Sequence, residues 1–154
     1  METLELSKLD QQFKYEIASR PGGEHFKSCF FCGTCTAACP VADVTEEYSP
    51  MRIIRMALLG MKEEVLSSEA IWLCSLCYTC YATCPQDVRF RDVIEVLRDM
   101  AIEGEYVSGE IGAKIEKVDR LSREVRREMV KFLFDKDEKR VAQIGEKIEE
   151  LRGI

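Results

Sequence analysis

Two runs of cysteine with the same spacing restrict this chain more than any other feature of its sequence. Each run has the pattern C-x2-C-x2-C-x3-C-P, and the second follows the first at an offset of 45 residues. Thr34 recurs as Thr79 and Ala37 as Ala82, so the runs are predicted to be copies of one structural unit. All eight cysteines of the 154-residue chain belong to the two runs: Cys29, Cys32, Cys35, Cys39, Cys74, Cys77, Cys80 and Cys84.

The spacing within a run suits a cube of iron and sulfide ions. Three thiolates that are two residues apart can wrap three corners of one cube, and the fourth, three residues further on, is directed at a second cube. The proline that follows favours this departure because it disfavours helical geometry at the preceding residue. We therefore predict two 4Fe-4S clusters that exchange their last ligands. Cluster 1 is assigned Cys29, Cys32, Cys35 and Cys84, and cluster 2 is assigned Cys74, Cys77, Cys80 and Cys39.

Structural zinc and disulfides are the alternative uses of so many cysteines. Zinc is usually held by two C-x2-C pairs per ion, so three cysteines within seven residues fit it poorly. The start of the chain, residues 1–5, has no basic region leading into an apolar one, which predicts a cytoplasmic, reducing location. Disulfides are disfavoured there, and a chain of this length can bury a core without them.

The composition and the missing motifs exclude several functions. The net charge of −6 argues against nucleic acid as the main partner. The most apolar stretch, residues 53–61, is interrupted by Arg55 and is far shorter than the roughly 20 residues of a membrane span. We find no phosphate-binding loop, no Ser-His-Asp set, no HExxH motif and no nicotinamide or flavin fingerprint. Electron transfer is therefore predicted, with no catalytic residue on this chain.

Helix signals are frequent and strand signals almost absent, which predicts an all-α fold. Between the runs, Ser49-Pro50 offers an N-cap and a first helical residue, and Gly60 offers an end. This helix would place Met51, Ile54 and Leu58 on one face. Further helices are expected over residues 62–66 and from Ser68 through Trp72 into the second run. A third is expected before Gly104, with Phe90, Val93, Ile94, Leu97, Met100 and Ala101 on one face, and an N-terminal one has Leu6, Leu9, Phe13 and Ile17 on one side.

The last third of the chain has a different charge balance. From Gly109 onward there are 12 basic and 11 acidic residues, whereas residues 1–108 hold 10 basic and 17 acidic residues. Apolar residues keep near-heptad spacing on both sides of Asp135-Lys136-Asp137, which predicts two helices: Ile111, Ile115, Val118, Val125, Met129 and Phe132, then Val141, Ile144, Ile148 and Leu151. These helices either pack back on the core or form an arm that docks on a partner protein.

Several other side chains near the cysteines have two interpretations each. Lys27, Arg89 and Arg91 could raise the potential of a nearby cluster, or could be ordinary surface or partner contacts. His25, the single histidine, could donate a hydrogen bond near the first cluster, or could be an exposed loop residue. Eight of the thirteen aromatic residues could form core or a dry wall around the clusters: Phe26, Phe30, Phe31, Tyr48, Trp72, Tyr78, Tyr81 and Phe90.

The two runs and the helices between them resemble the C subunits of the CoB-CoM heterodisulfide reductase family, which have an α-helical ferredoxin domain. The similarity also rests on residues 49–60, on Ile71-Trp72-Leu73-Cys74 and on residues 84–88. It implies a cytosolic relay between the flavin-containing A subunit and the B subunit, which cleaves the CoM-S-S-CoB disulfide. A hydrogenase or formate dehydrogenase would complete the assembly. The cleavage site of the B subunit needs an adjacent Cys-Cys, which this chain lacks.

With this resemblance, the expected organisation is an N-terminal helical segment, residues 1–24, an α-helical ferredoxin domain, residues 25–108, and a C-terminal helical extension, residues 109–154. Other functions remain open at this point. The chain could be the relay of another heterodisulfide-reductase-like complex or of a succinate- or fumarate-type complex, although the latter commonly replaces one cysteine. It could also be a freely diffusing ferredoxin, or a non-redox module in which metal only holds helices for docking.

Overall fold

The structure is a computed structural model in which residues 9–153 are described, and this range contains helices and turns but no strand. The predicted all-α class is confirmed. The chain divides into two compact units, Met1–Ser108 and Gly109–Ile154. The first contains α1 (Phe13–Ser19), α2 (Thr34–Ala37), α3 (Pro50–Leu59), α4 (Lys62–Leu66), α5 (Thr79–Thr83) and α6 (Phe90–Glu103), with 3-10 turns at Phe26–Ser28 and Glu69–Trp72. The second contains α7 (Ile111–Asp135), α8 (Lys139–Glu149) and a 3-10 turn at Glu150–Gly153.

The helix between the cysteine runs, α3, has the predicted bounds because its caps are local. Ser49 Oγ accepts a hydrogen bond from the backbone N–H of Arg52 at 3.3 Å, and Pro50 is the first helical residue. Gly60 ends the helix with φ 86°, in the left-handed region. A Cβ at Gly60 would lie 2.3 Å from the carbonyl oxygen of Asp10. Glycine is therefore required at this position both for its φ value and for the close approach of Asp10.

The buried face of α3 differs from the predicted one. Ile54 is buried as expected, but Met51 and Leu58 are only half-buried, whereas Ile53 and Ala57 are buried. The physical reason is that α3 packs against α1, α2 and α4, so it is covered over a wider arc than one row of side chains.

The segment after α3 confirms one predicted helix and corrects another. α4 spans the expected residues 62–66. The helix expected from Ser68 into the second run is only a 3-10 turn that ends at Trp72. Leu76 and Tyr78 have φ values of 53° and 63°, and this left-handed backbone cannot continue a right-handed helix into the cysteines.

The N-terminal helix is shorter than expected. α1 begins at Phe13, and Leu9 precedes it in an irregular segment, while Leu6 lies outside the described residues. Phe13 and Ile17 are fully buried, as the spacing predicted. Asp10 is hydrogen-bonded to Gly60 through its backbone N–H at 2.7 Å, so the chain before α1 follows the end of α3 instead of a helical path.

The last helix of the first unit, α6, ends before Gly104 as predicted, and its expected apolar face is buried. The same face also buries a charged residue that the sequence analysis overlooked. Arg98 is 9% exposed and lies four and eight residues after Ile94 and Phe90, so it shares their side of the helix.

In the second unit, the two predicted helices are confirmed, with Lys136 in the left-handed region between them. Ion pairs join Glu128 to Arg140 and Glu124 to Lys147, an order that makes α7 and α8 antiparallel. Polar contacts therefore hold much of this hairpin together.

The predicted apolar stripe of the second unit is largely open. Within residues 109–153 the buried apolar side chain is Leu121, which was not assigned to the stripe. Several other apolar side chains are exposed: Val118, Met129, Val130, Leu133, Phe134, Val141, Ile148 and Leu151. Packing of this stripe on the core or on a partner protein remains a prediction. Among residues 9–153, no helix is both long enough and apolar enough to cross a membrane.

Candidate metal centres

The first cavity of the cysteine region is lined by thiols and apolar side chains. The thiols are those of Cys29, Cys32, Cys35, Cys80 and Cys84. The remaining wall comprises Phe31, Gly33, Met51, Ile54, Val88 and Phe90. Three elements supply the thiols: the segment after the turn at Phe26–Ser28, α2, and the residue that follows α5.

The second cavity has a more polar wall. Its thiols are those of Cys39, Cys74, Cys77 and Cys80. The remaining wall comprises Val41, Tyr48, Pro50, Ser75, Tyr78, Thr79 and Arg91. The first cavity is lined by three thiols of the first run and two of the second, and the second cavity by three thiols of the second run and one of the first. Cys80 lines both cavities.

The backbone of the two runs follows the same path. Phe31 and Leu76 occupy equivalent positions, with φ values of 61° and 53°, and Gly33 and Tyr78 are likewise equivalent, at 80° and 63°. A short helix begins directly after the second left-handed residue in each run, and these two helices, α2 and α5, pack together. Left-handed backbone is uncommon for residues other than glycine, so its repetition indicates that the cysteine loops themselves demand it.

The recurring threonines contact the middle cysteine of each run. Cys32 Sγ lies 3.3 Å from Thr34 Oγ1, and Cys77 Sγ lies 3.4 Å from Thr79 Oγ1. The Thr34 hydroxyl lowers the pKa of Cys32. Burial works to raise the pKa of Cys77, but hydrogen bonds from Thr79 and Ser75 outweigh it and the pKa is lowered. A thiolate has no proton to give, so each hydroxyl is the donor once its cysteine is ionised.

The other cysteines with shifted acidity lie deeper. Burial raises the pKa values of Cys29 and Cys35, and it raises the pKa of Cys80 to about 11. The backbone N–H of Arg91 donates a hydrogen bond to Cys80, which opposes this shift. Such thiols are costly to ionise alone, and a bound metal centre supplies the positive charge that holds thiolates.

The donor set fits the predicted clusters. The first cavity presents five thiols and the second presents four, with Cys80 common to both. Neither wall contains a histidine or a carboxylate, which matches the all-cysteine ligation typical of 4Fe-4S clusters. In residues 9–153, no three or more His, Cys, Asp or Glu side chains are grouped closely enough to share a single metal ion. A 4Fe-4S cluster needs no such group, because its four cysteine ligands are distributed over four iron ions.

Comparison with known proteins agrees with this donor set, because the model of a 4Fe-4S dicluster domain matches residues 25–88. Residues 25–88 form a 4Fe-4S dicluster domain. Both cysteine runs lie inside the matched range, and the prediction of two 4Fe-4S clusters is confirmed. The dicluster domain also includes α3, whose residues Met51 and Ile54 line the first cavity.

The similar curated proteins are C subunits of heterodisulfide reductases. The chain is 37% identical over 100 residues to the C subunit of the H(2):CoB-CoM heterodisulfide,ferredoxin reductase of Methanothermobacter thermautotrophicus, covering 65% of the chain and 53% of that protein. It is 47% identical over 77 residues to the C2 subunit of the H(2)/formate:CoB-CoM heterodisulfide,ferredoxin reductase of Methanococcus maripaludis, covering 50% and 41%. The predicted resemblance is confirmed, although the chain spans about half the length of the curated relatives it matches.

Of the side chains considered beside the cysteines, only Arg91 lines one of the two cavities. His25 is exposed. Lys27 lies 4.8 Å from the ring of Tyr15, and Arg89 pairs with Asp87 at 2.9 Å. Only some of the aromatic residues contribute to the walls of the cavities. Phe31, Tyr48, Tyr78 and Phe90 line the cavities, Phe26 and Trp72 are buried, and Phe30 is exposed.

The sequence analysis missed Arg98 as a support of the second run. Its guanidinium donates to three backbone carbonyls, those of Ile71 at 2.9 Å, Trp72 at 3.1 Å and Cys74 at 2.9 Å. It also lies 5.3 Å from the centre of the Trp72 ring. The overlooked signal is an arginine in the apolar row of a helix, which must find acceptors when it is buried.

Proposed function

We propose that this chain relays electrons through two 4Fe-4S clusters as the C subunit of a heterodisulfide reductase. The observation that carries the proposal is a pair of adjacent cavities, each with several thiols in its wall, which have Cys80 in common. Two centres separated by so little protein can exchange an electron without movement of the chain. The dicluster domain supports the iron–sulfur electron-transfer role, and the partners and substrate are part of the proposal.

The proposed ligands follow the thiols that line each cavity. Cys29, Cys32, Cys35 and Cys84 hold cluster 1, and Cys74, Cys77, Cys80 and Cys39 hold cluster 2. We assign Cys80 to cluster 2 although it lines both cavities, because its neighbours within its own run, Cys74 and Cys77, line only the second.

When bound, each cluster would accept and return one electron. The chain holds the clusters in position, excludes water and stabilises charge on their sulfurs. The thiolates fix the position of each cluster. Apolar residues such as Met51, Val88 and Phe90 exclude water from the first cavity. Thr34 and Thr79 donate hydrogen bonds to Cys32 and Cys77, which stabilises negative charge on those sulfurs.

The relatives supply the proposed setting. Their names describe reductases of the CoB-CoM heterodisulfide, linked to hydrogen in one case and to hydrogen or formate in another. We place this chain in a cytoplasmic complex, between the flavin-containing A subunit and the B subunit, which reduces the disulfide. A hydrogenase or formate dehydrogenase would supply the electrons. The chain itself carries no active site in this proposal.

The second unit supplies a surface for contact with a partner protein of the complex. Met129 and Leu133 are neighbours one turn apart on α7, as are Val130 and Phe134, and the two pairs lie side by side. Leu133 is 65% exposed and Phe134 is 87% exposed. An apolar group of this kind on a charged helix favours burial against another protein. We therefore propose that residues 109–154 are a docking extension.

The relay is tested in a purified complex of the chain with the flavin-containing and disulfide-reducing subunits. In a complex that contains Cys39→Ala, we expect reduction of the flavin by its donor to continue. Disulfide reduction driven by an artificial reductant should also continue, because the disulfide-reducing partner is intact. Coupled turnover from donor to disulfide should fall to background, since cluster 2 is lost.

Undiminished coupled turnover by the Cys39→Ala complex would contradict the relay and favour a docking module that carries no electrons. The docking extension is tested in the same preparation with Phe134→Asp. This exposed substitution should leave both clusters in place and release the chain from the complex during gel filtration. Co-elution of Phe134→Asp with undiminished coupled turnover would contradict the docking role alone.

A further inference from the structure

The walls of the two cavities differ in chemistry. Apart from cysteines, the wall of the first cavity offers glycine and apolar side chains only. The second adds the hydroxyl of Tyr48, the guanidinium of Arg91 and Ser75. Thr79 does not distinguish the two sites, because Thr34 contacts Cys32 in the same way, and the backbone N–H of Val88 donates to Cys84 at 3.4 Å. A cluster gains negative charge when it is reduced, so hydrogen-bond donors around its sulfurs favour the reduced form and raise its potential.

The Nε–H of Arg91 is a hydrogen-bond donor that remains available. Its Nη1 pairs with Asp92 at 3.1 Å and with Glu95, and its Nη2 donates to Glu95 at 2.8 Å. Its Nε is buried and has no hydrogen-bond partner among residues 9–153. A buried N–H without a partner is costly, and a sulfur in the cavity that Arg91 lines would satisfy it.

The charge of Arg91 is compensated by carboxylates. Asp92 and Glu95 hold the two terminal nitrogens, so the guanidinium adds little net positive charge at a distance. The N–H of Nε is the buried donor that is left over in this residue of the cavity wall. The contribution of Arg91 is a local hydrogen bond.

Tyr48 offers a second donor to the same cavity. It is 2% exposed and lines the second cavity together with Cys74, whose thiol lies beside its hydroxyl. A phenol hydroxyl has one proton to donate, and an ionised thiolate can only accept.

We infer that the Nε–H of Arg91, with the hydroxyl of Tyr48, donates to sulfur in the second cavity and gives cluster 2 the higher reduction potential. The inference rests on the proposed function, because it requires both clusters. The first electron to enter the chain then resides on the cluster held by Cys39, Cys74, Cys77 and Cys80. Cluster 1, in an apolar wall, is reduced second and is the stronger reductant.

The test is a potentiometric titration of the loaded protein, followed by the electron spin resonance of reduced clusters. Arg91→Met removes the donor, and at a fixed potential we expect the ratio of reduced to oxidised cluster in the first reduction step to fall about tenfold. For a one-electron couple this is a shift of about 59 mV to lower potential. The second step should stay in place. Tyr48→Phe keeps the ring and should lower the potential of the same step.

Two variants control for charge. Arg89→Met removes the same charge from an arginine that pairs with Asp87 and lines neither cavity, and it should leave the first step unchanged. Arg91→Lys restores a cation for Asp92 and Glu95 without the Nε–H, so the potential of the first step should stay lowered.

A wild-type potential in Arg91→Lys, or no shift of the first step in Arg91→Met and Tyr48→Phe, overturns the inference while leaving the relay intact. Movement of the second step instead would reverse the order of the clusters. Protein that binds no clusters would overturn the proposed function and the inference together.

Discussion

Replacing Cys39 by alanine is expected to remove the cluster of the other run. Cys39 belongs to the first run but lines the second cavity with Cys74, Cys77 and Cys80. Without this fourth thiolate, cluster 2 has an open corner, whereas cluster 1 keeps all four of its proposed ligands. The variant should therefore hold about four iron ions per chain instead of about eight.

Alkylation of exposed thiols identifies which cluster is lost. After anaerobic treatment of Cys39→Ala with iodoacetamide, mass spectrometry should find label on Cys74, Cys77 and Cys80. The cysteines of cluster 1 should be protected by iron. Cys84→Ala is the matched variant, since Cys84 is the single cysteine of the second run in the proposed cluster 1, and it should give the mirror pattern. Labelling of Cys29, Cys32 and Cys35 in Cys39→Ala would show that each run binds its own cluster.

Arg98→Met is expected to destabilise the first unit by about 3 kcal/mol or more. The substitution keeps most of the side-chain volume but removes the donors to the carbonyls of Ile71, Trp72 and Cys74. A hydrogen bond to a charged group contributes about 1.5–3 kcal/mol, and an unsatisfied buried acceptor costs about as much. The backbone that leads into Cys74 loses its anchor, so cluster 2 should also be bound less fully than cluster 1.

The measurement is anaerobic unfolding in urea, followed by circular dichroism of the helices. With a slope of about 1–3 kcal/mol per molar urea, the midpoint should fall by about 1 M or more. Arg89→Met is the control, because Arg89 forms an exposed ion pair with Asp87 that contributes at most about 1 kcal/mol. Equal midpoints for the two variants would mean that Arg98 is not an anchor.

Local signals allowed much of the fold to be predicted. The serine cap and terminal glycine fixed α3, and the apolar row of α6 fixed both its length and its buried face. The cysteine spacing pointed to the dicluster domain because each run carries its own geometry. These features depend on interactions between residues that are close in sequence, and local sequence patterns predict such interactions.

The remainder depends on contacts between distant segments. The buried face of α3 is set by three helices that pack on it, and α1 starts late because Asp10 bonds to Gly60. Tyr78 takes the left-handed conformation that glycine provides in the first run, which no propensity indicates. The difference between the cavity walls was equally hidden, since Tyr48 and Arg91 reach the second cavity from opposite sides of the second run in sequence.

The central claim is that this chain holds two redox-active 4Fe-4S clusters. The most direct measurement is the iron, sulfide and zinc content of anaerobically prepared protein, followed by titration with dithionite. We expect about eight iron and eight sulfide ions per chain, a brown colour that bleaches and returns on reoxidation, and uptake of two electrons, one for each cluster. Colourless protein with two zinc ions per chain and no response to dithionite would contradict the account.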